Sequence, residues 1–238
     1  MMIRLDKYLA DMGMGSRALV KRNIIKGNVI IDGIIAKRPE QKVDVSCQRV
    51  SYCGQEVVYT EYEYYMLHKP AGVVSAVSDK RDITVVDLIK TKRRKDLFPV
   101  GRLDKDTEGL MLVTNDGPLS HHLLSPKNHI DKSYYARING LVTDADVLSF
   151  QEGLDIGDEK LTLPAVLNIL KTDLPNDTSE IRITIQEGRF HQVKRMFQAV
   201  DKEVVYLKRL TMGTLVLDDN LRPGEYRALT QEELTKLC

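Results

Sequence analysis

The first part of the chain carries apolar residues at helical spacing. Leu5, Leu9 and Met12 lie at i, i+4 and i+7, which predicts a short amphipathic helix that ends at the glycines directly after it. Ser16 is a candidate N-cap for a second helix that runs to about Lys26 and is stopped by a further glycine. Two short helices are therefore expected near the N-terminus.

After the second helix the pattern changes to that of β structure. Val29–Ile31 is an apolar run, and Asp32 and Gly33 form a turn pair directly after it. Tyr and Glu alternate through residues 57–65, which we interpret as the passage into a second unit. The pattern predicts two domains, residues 1–60 and residues 61–238.

The second unit contains many short apolar runs that are separated by turn residues, as expected of β-strands. Such runs lie at residues 73–74, 110–113, 134–138, 165–170 and 181–185. The last one alternates apolar and polar residues with a period of two, which is typical of a strand with one buried face. Helices are predicted at residues 84–90, 119–124, 144–152 and 190–200. Together these elements predict an α+β fold whose sheet is mixed and mainly antiparallel.

Composition places the chain among ordinary globular proteins. Of its 238 residues 42% are hydrophobic and 29% are charged. No apolar run approaches the roughly 20 residues that span a bilayer, and the first residues lack the apolar core of a signal peptide, so a cytoplasmic protein without membrane contact is expected. Cys47, Cys53 and Cys238 form no C-x-x-C pair, which argues against a disulfide framework and a zinc site.

The net charge of +1 conceals an uneven distribution. Residues 1–60 hold ten Lys and Arg against six Asp and Glu, whereas the remainder holds twenty-five against twenty-eight. On the second predicted helix Arg17 and Lys21 lie one turn apart, as do Arg22 and Lys26. A basic N-terminal part suggests a phosphate partner. The charge alone is equally consistent with solvated basic side chains.

Three segments could carry chemistry, and the first is the charged loop at residues 100–109. Its carboxylates lie beside Arg102 and Lys105, and cationic neighbours hold an aspartate ionised, as a nucleophile requires. Spacing alone favours the plainer interpretation, a solvated loop in which Asp104 or Asp106 caps a turn.

The second segment is a pair of tyrosines on a predicted strand. Tyr134 and Tyr135 follow Lys132 closely, and a tyrosine can stack on a base and offer a hydroxyl for proton transfer. Adjacent strand residues point to opposite faces, so only one of the two can face a given pocket. Packing in the core is the plainer interpretation.

The third segment, residues 186–197, follows a glycine and reads as an amphipathic helix. One face of the helical wheel is apolar, with Phe190, Val193, Met196, Phe197 and Val200. The other face is polar, with His191, Gln192, Lys194 and Arg195. The polar face suits an anionic ligand, but an ordinary surface helix is the plainer interpretation. No ligand-type residue follows His191 at helical spacing, so no metal site is expected.

Several N-terminal features resemble a known RNA-binding domain. Arg4–Lys7, Ser16 with Arg17, and Asp32 with Gly33 look like the small domain first described in a small-subunit ribosomal protein. The resemblance implies RNA contacts by basic side chains of this domain. The candidate contacts are Arg4, Lys7, Arg17, Lys21 and Arg22.

Further motifs follow in order along the chain. Residues 66–72, 101–117, 132–134 and 188–196 resemble the motifs of the RsuA-type family of bacterial ribosomal RNA pseudouridine synthases. The resemblance implies a catalytic domain built on a mainly antiparallel sheet with a central cleft. It implies isomerisation of a uridine in RNA to pseudouridine, without a metal or an organic cofactor.

The same resemblance assigns roles to individual residues. Asp104 would be the nucleophile, attacking the ribose C1′, although attack at the base or prior removal of a ribose proton is also open. Arg102 would fill the space that the flipped base vacates, and Tyr134 would stack on the base and take a proton. Lys194 would pair with Asp104, with Arg195 as the second choice. The expected substrate-binding residues are Arg102, Arg189, His191, Gln192 and Arg195.

The choice of RNA rests on two further stretches. Residues 157–167 and 223–230 look most like the small-subunit members of the family, which implies one uridine of 16S rRNA, at position 516, as the target. The expected partner is 16S rRNA, free or within a partly assembled small subunit, and a monomer is expected. The alternatives are the same chemistry on 23S rRNA and a non-catalytic RNA-binding or ribosome-assembly protein. A phosphate-binding hydrolase is disfavoured because the sequence lacks a P-loop.

Overall fold

The computed structural model describes residues 1–237, and Cys238, the third cysteine, lies outside them. The chain forms two compact units. The first contains Met1–Glu63 together with Lys90–Leu97, and the second contains Tyr64–Ile89 and the chain from Phe98 onward. The chain therefore passes between the units three times, and the sequence pattern does not single out Lys90–Leu97.

The first unit contains two helices and six short strands. In chain order they are β1 (Met2–Arg4), α1 (Leu5–Asp11), α2 (Arg17–Ile25), β2 (Val29–Ile31), β3 (Ile34–Ile35), β4 (Lys42–Asp44), β5 (Val50–Tyr52) and β6 (Gln55–Val57). The order β3–β2–β5–β6 makes one sheet, and β1 pairs with β4. Asp32 and Gly33, both with positive φ, make the tight turn between β2 and β3.

The predicted helical pattern of the first unit is confirmed. Leu5 and Leu9 are fully buried and Met12 is nearly so, and they pack with Val20 of α2 in one core. The Ser16 side chain accepts a hydrogen bond from the backbone N–H of Leu19, so the predicted N-cap begins α2.

The second unit is built on one large sheet. Its strands are β7 (Tyr64–Lys69), β8 (Phe98–Pro99), β9 (Glu108–Thr114), β10 (Lys132–Asn139), β11 (Val166–Asp173), β12 (Thr178–Ile185), β13 (Glu203–Met212), β14 (Leu215–Val216) and β15 (Tyr226–Ala228). Its helices are α3 (Val85–Leu88), α4 (Gly117–Leu124), α5 (Asp144–Glu152), α6 (Gln192–Gln198) and α7 (Gln231–Leu237).

The strand order is β11–β12–β10–β13–β9–β7–β15, with β14 added beside β13 and β8 beside β9. Pairing is antiparallel except between β9 and β13, which run parallel. The α+β fold with a mainly antiparallel sheet is therefore confirmed. Within the described residues no helix is long and apolar enough to cross a membrane.

The parallel contact between β9 and β13 depends on a glycine. Gly109 lies opposite Arg209 with a φ of +104°, and a Cβ there would lie 2.2 Å from the carbonyl oxygen of Arg209. Only glycine combines that conformation with so close an approach. The start of β9, directly after the charged loop, is thereby held against β13.

Two predicted elements need correction. The helix predicted at 190–200 begins only at Gln192. His191 adopts a left-handed conformation with a φ of +48°, so the residues before Gln192 are not helical. The predicted strand at residues 73–74 is reduced to an isolated bridge between Val74 and Thr84. The helix predicted at 144–152 has the expected bounds.

Candidate active site

Hydrogen bonds to its main chain fix the charged loop between β8 and β9. The Ser75 hydroxyl donates to the carbonyl oxygen of Leu103 at 2.7 Å and accepts from its N–H at 3.0 Å. The N–H of Thr107 donates to the carbonyl oxygen of Asp104 at 3.1 Å, which closes a turn. These bonds fix the main chain of the loop, and the position of the Asp104 side chain is fixed with it.

A buried lysine holds the same loop from the interior. Lys69, at the end of β7, is fully buried, and its Nζ donates to the carbonyl oxygens of Thr107 at 2.7 Å and Lys105 at 3.2 Å. Burial lowers the pKa of Lys69 to about 8, although the nearby carboxylates of Asp106 and Asp104 oppose this. The sequence had assigned Lys69 no role of its own; its one signal is a lysine that ends a strongly apolar run.

Lys194 of α6 reaches two aspartates of the loop. Its Nζ lies 3.1 Å from Oδ2 of Asp104 and 2.7 Å from Oδ1 of Asp106. Burial opposes the charge, but the hydrogen bonds to Asp106 and Asp104 raise the pKa of Lys194 above its ordinary value. The hydrogen bond from Lys194 in turn lowers the pKa of Asp106. The ammonium group is therefore held charged beside Asp104, and Asp106 is a second partner that the sequence had not indicated.

The two candidates for the partner of Asp104 are separated clearly by the geometry. Arg195 points away from Asp104 and forms an ion pair with Asp158 at 2.5 Å, while its Nε donates to the carbonyl oxygen of Ile156 at 3.0 Å. Lys194 is thus the residue that pairs with Asp104. The imidazole Nε2 of His191 lies 3.5 Å from Oδ1 of Asp104, on the second oxygen of the same carboxylate.

Tyr134 and Tyr135 face opposite sides of β10, as predicted. Tyr134 is nearly buried and lines the same pocket as Asp104, and its hydroxyl makes no hydrogen bond within residues 1–237. Tyr135 instead donates its hydroxyl to Glu180 at 2.7 Å on the neighbouring strand. The structure therefore leaves the Tyr134 hydroxyl available to a bound molecule.

Most of the expected site residues meet in one pocket. Those that line it are Arg102, Asp104, Tyr134, Arg189, His191, Gln192 and Lys194. Apolar walls come from Leu103, Ile185, Val193 and Leu207. Arg102 is exposed and forms no ion pair with any described residue, so its guanidinium is available to a polyanion. Arg195 does not line the pocket.

Two arginines of the third segment, Arg189 and Arg195, form hydrogen bonds and ion pairs within the protein. Arg189 donates to the carbonyl oxygens of Lys160 and Leu161, both at 2.7 Å, and its Nε donates to Glu187 at 3.0 Å. Arg195 holds the same loop through its bonds to Ile156 and Asp158. These donors are engaged within the protein in this structure, and substrate contact by Arg189 and Arg195 stays a prediction.

The polar face predicted for the third segment is wrong in two places. Gln192 is 4% exposed, and its side-chain amide accepts from the N–H of Arg189 and donates to Glu187, both at 2.9 Å. Phe190, placed on the apolar face, is 76% exposed and stacks on His191 with ring centroids 3.8 Å apart. The left-handed residue at His191 rotates the segment before it out of helical register.

A second polar centre lies in the first unit, around Asp6. This aspartate is buried, and it attracts Arg4 at 2.9 Å, Lys21 at 3.8 Å and Arg17 at 4.0 Å. The hydrogen bond from Arg4 lowers the pKa of Asp6. Asp6 therefore gathers three of the predicted RNA-contacting cations in one patch.

The two remaining candidates of the first unit lie outside this patch. Lys7 pairs with Asp11 at 2.5 Å, and Arg22 is exposed on the other row of α2. Within residues 1–237 no group of three or more His, Cys, Asp or Glu side chains could hold a metal ion.

Comparison with known proteins agrees with both units. Residues 63–199 match the family model for RNA pseudouridylate synthase, and residues 3–48 match the S4 domain. The chain is 48% identical over 233 residues to the "Uncharacterized RNA pseudouridine synthase YtzG" of Bacillus subtilis, covering 98% of this chain and 97% of that protein. It is 39% identical over 237 residues to the "Ribosomal small subunit pseudouridine synthase A" of Escherichia coli, covering 99% and 100%.

A solved structure agrees as well. The chain resembles a structure described as "Crystal structure of pseudouridylate synthase" with a TM-score of 0.69 and 36% identity, covering 99% of this chain and 100% of the other. The fold and site thus define an RNA-modifying isomerase with an appended RNA-binding domain. The chain belongs to the RNA pseudouridylate synthase family, and within it to the RsuA type.

Proposed function

We propose that this protein converts one uridine of small-subunit ribosomal RNA to pseudouridine, at position 516 of 16S rRNA, with Asp104 as the nucleophile. The observation that carries the proposal is the contact of 3.1 Å between Asp104 and Lys194 in a pocket that also contains Tyr134. The choice of RNA is supported by the similarity to the small-subunit enzyme, which extends over 99% of this chain.

The reaction begins with the uridine leaving its stack, at a cost of a few kcal/mol, because the glycosidic bond is inaccessible within a helix. Arg102, exposed at the mouth of the pocket, takes the place of the base in the RNA. Phosphates on either side of the target would favour a guanidinium in that position.

Asp104 then attacks C1′ of the ribose, and the bond between C1′ and N1 of uracil breaks with its electron pair leaving on the base. The uracil rotates against Tyr134, and C5 forms the new bond to C1′ as the carboxylate departs. The proton on C5 leaves by way of the Tyr134 hydroxyl, and N1 gains a proton. Lys194 holds Asp104 in position throughout by its contact at 3.1 Å.

The first unit holds the RNA through its phosphates. Arg4, Arg17 and Lys21 present exposed ends around Asp6, with Lys7 and Arg22 nearby on the same two helices. Phosphate contacts of this kind position an RNA without reading its sequence. In this proposal the protein works in the cytoplasm as a monomer and needs no metal or organic cofactor, so full activity is expected in excess chelator.

The test is to incubate the protein with unmodified 16S and 23S transcripts and with partly assembled small subunits. Pseudouridine is then mapped by carbodiimide treatment and primer extension. A new stop on 16S rRNA alone is expected. A stop on 23S rRNA alone would contradict the choice of substrate, and no stop on any RNA would favour a non-catalytic RNA-binding protein.

The nucleophile is tested by replacing a single oxygen. Asp104→Asn should bind RNA normally and form no product, because an amide is not a nucleophile of this kind. Asp82→Asn is the matched control, since Asp82 is a half-exposed carboxylate of the same unit that pairs with Lys105. Full activity of Asp104→Asn would overturn the assignment.

A further inference from the structure

The segment Lys90–Leu97 lies in the sequence between α3 and β8 of the second unit, yet it groups with the first unit. Five of its eight residues are Lys or Arg, and one is a carboxylate. The S4 domain match ends at residue 48 and does not include it. The segment therefore adds positive charge to the first unit from a distant part of the chain.

One arginine of the segment points inward and anchors it. Arg94 is 4% exposed, and its Nη1 donates to the Tyr59 hydroxyl and the carbonyl oxygen of Thr60, both at 3.2 Å. The same atom lies 3.5 Å from Asp11, and Nε donates to Asp96 at 2.8 Å. A buried arginine with this many partners is costly to displace, so the segment has a defined position.

The backbone of the segment is held as well. The carboxylate of Glu63 accepts the backbone N–H groups of Arg93 and Arg94 at 3.0 to 3.2 Å, and Leu97 is fully buried. Because these contacts use the main chain and two inward side chains, they leave other side chains of the segment facing solvent.

Arg93 and Lys95 are two exposed side chains of the segment, and neither forms an ion pair with a described residue. Lys95 lies across Gly13, with its Cε 3.3 Å from the position that a Cβ would take there. Lys95 also lines a groove with Lys7 and Arg17. Three cations from three separate parts of the sequence thus share one groove.

The carboxylates that line this groove, Asp11 and Asp96, are outnumbered by its cations Lys7, Arg17 and Lys95. Asp96 is paired with Arg94, and Asp11 is shared between Lys7 and Arg94. Arg17 also belongs to the patch around Asp6, so the groove continues into that patch. A continuous row of exposed cations without a closed pocket fits a chain of phosphodiesters better than a single small anion.

We propose that Lys90–Leu97, with Lys7 and Arg17, forms a phosphate-binding groove that extends the RNA-contact surface of the first unit. The inference rests on the proposed function, because it takes RNA as the substrate. The groove adds affinity without reading sequence, since its exposed groups are ammonium and guanidinium groups suited to phosphate oxygens.

The test reverses two exposed positive charges of the segment in the full chain, Arg93→Glu with Lys95→Glu. The equilibrium affinity for a 16S transcript is measured by fluorescence anisotropy between roughly 50 and 200 mM salt. Binding should weaken by about tenfold or more near 100 mM salt, and the slope of log affinity against log salt should fall by about 1.5 to 2.

The matched control reverses two exposed lysines of the second unit, Lys127→Glu with Lys171→Glu, which changes the net charge equally. This control should keep its affinity within about threefold and keep the salt slope. An equal loss in both double variants would overturn the groove, because the effect would then follow net charge alone. Arg93→Ala with Lys95→Ala, which removes charge without reversing it, should show a smaller loss in the same direction.

A fourth double variant separates this inference from the proposed function. Arg17→Glu with Lys21→Glu should weaken RNA binding as well, because both residues belong to the patch around Asp6. If that variant loses affinity while Arg93→Glu with Lys95→Glu does not, the groove is overturned and RNA binding by the first unit stands. If the unaltered protein forms no pseudouridine, the proposed function fails, and the binding comparison still decides the groove.

Discussion

Each unit of this protein contains an aspartate among cations, but the two aspartates are presented to solvent in opposite ways. Asp6 is 1% exposed, whereas the Arg4, Arg17 and Lys21 side chains around it are 47%, 58% and 49% exposed. Asp104 is 25% exposed, and its partner Lys194 is 21% exposed and held by a second carboxylate. The same two kinds of group are therefore arranged for different tasks.

The difference lies in which group each site presents to solvent. At Asp6 the buried carboxylate holds exposed cations together, and cations are what a phosphate backbone requires. In the pocket, Lys194 lies between the carboxylates of Asp104 and Asp106, and Asp104 is the less exposed of the two. A nucleophile requires an accessible, ionised carboxylate. The contrast can be tested by substitutions at each of the two sites.

The largest expected effect comes from exchanging each aspartate for asparagine. Asp104→Asn should lower the single-turnover rate by at least about 10⁴-fold, because the nucleophile is lost, and leave RNA affinity within about twofold. Asp6→Asn should leave that rate unchanged at saturating RNA. It should lower the free energy of unfolding by about 2 kcal/mol, because a buried carboxylate bound to Arg4 is lost. A rate loss in Asp6→Asn at saturating RNA would contradict the separation of tasks.

The next effect concerns the cation of the pocket. Lys194→Met should lower the single-turnover rate by about 10²- to 10³-fold, since Asp104 loses the cation that orients it. Lys194→Arg should recover part of the rate, because arginine keeps the charge with a different geometry. Lys105→Met, which removes an exposed lysine of the same loop, is the control and should stay near normal. An equal loss for Lys105→Met would show that loop charge alone matters.

A third test compares backbone constraint in the two units. Gly109→Ala should lower the free energy of unfolding by about 3 kcal/mol or more, because its Cβ would overlap the backbone of Arg209. Gly54 also has a positive φ, but no atom lies within 4 Å of the position that a Cβ would take, so Gly54→Ala should cost about 1 kcal/mol. Urea denaturation measures both, and equal costs would show that the parallel contact between β9 and β13 is not tight.

The smallest effect is a pH dependence that only a buried cation produces. Below about pH 8 Lys69 is charged in the folded and unfolded states, and the cost of burying the charge is fully present. Between about 8 and 10.5 the folded state loses this proton before the unfolded state does, so stability from this group rises with pH.

The measurement is a comparison of unfolding free energies for the unaltered protein and Lys69→Met. From about pH 7 to about pH 10 the difference should change by about 2 kcal/mol in favour of the unaltered protein. A difference that stays constant with pH would mean that burial does not lower the pKa of Lys69.

Local features of the sequence predicted much of the fold. The periodicity of Leu5, Leu9 and Met12 and the cap at Ser16 depend on residues within one or two helical turns, and the structure confirms them. The prediction for residues 190–200 was wrong about where the helix begins. The pattern of apolar residues does not indicate the left-handed conformation of His191, after which the helix starts. Gln192 was consequently assigned to the wrong face.

The site residues were found by motif, and their roles remain predictions. The sequence alone was enough for the α+β class and the positions of most elements, because the spacing of apolar residues follows which positions are buried. It was also enough for the family, because the motifs contain the residues of the site. It left Lys194 and Arg195 as alternatives, and it gave no sign of the contacts of Lys69, the pairing of Asp106 with Lys194 or the grouping of Lys90–Leu97 with the first unit. These contacts join residues far apart in the chain, so they depend on strand order and on the left-handed start of α6, which only the tertiary structure decides.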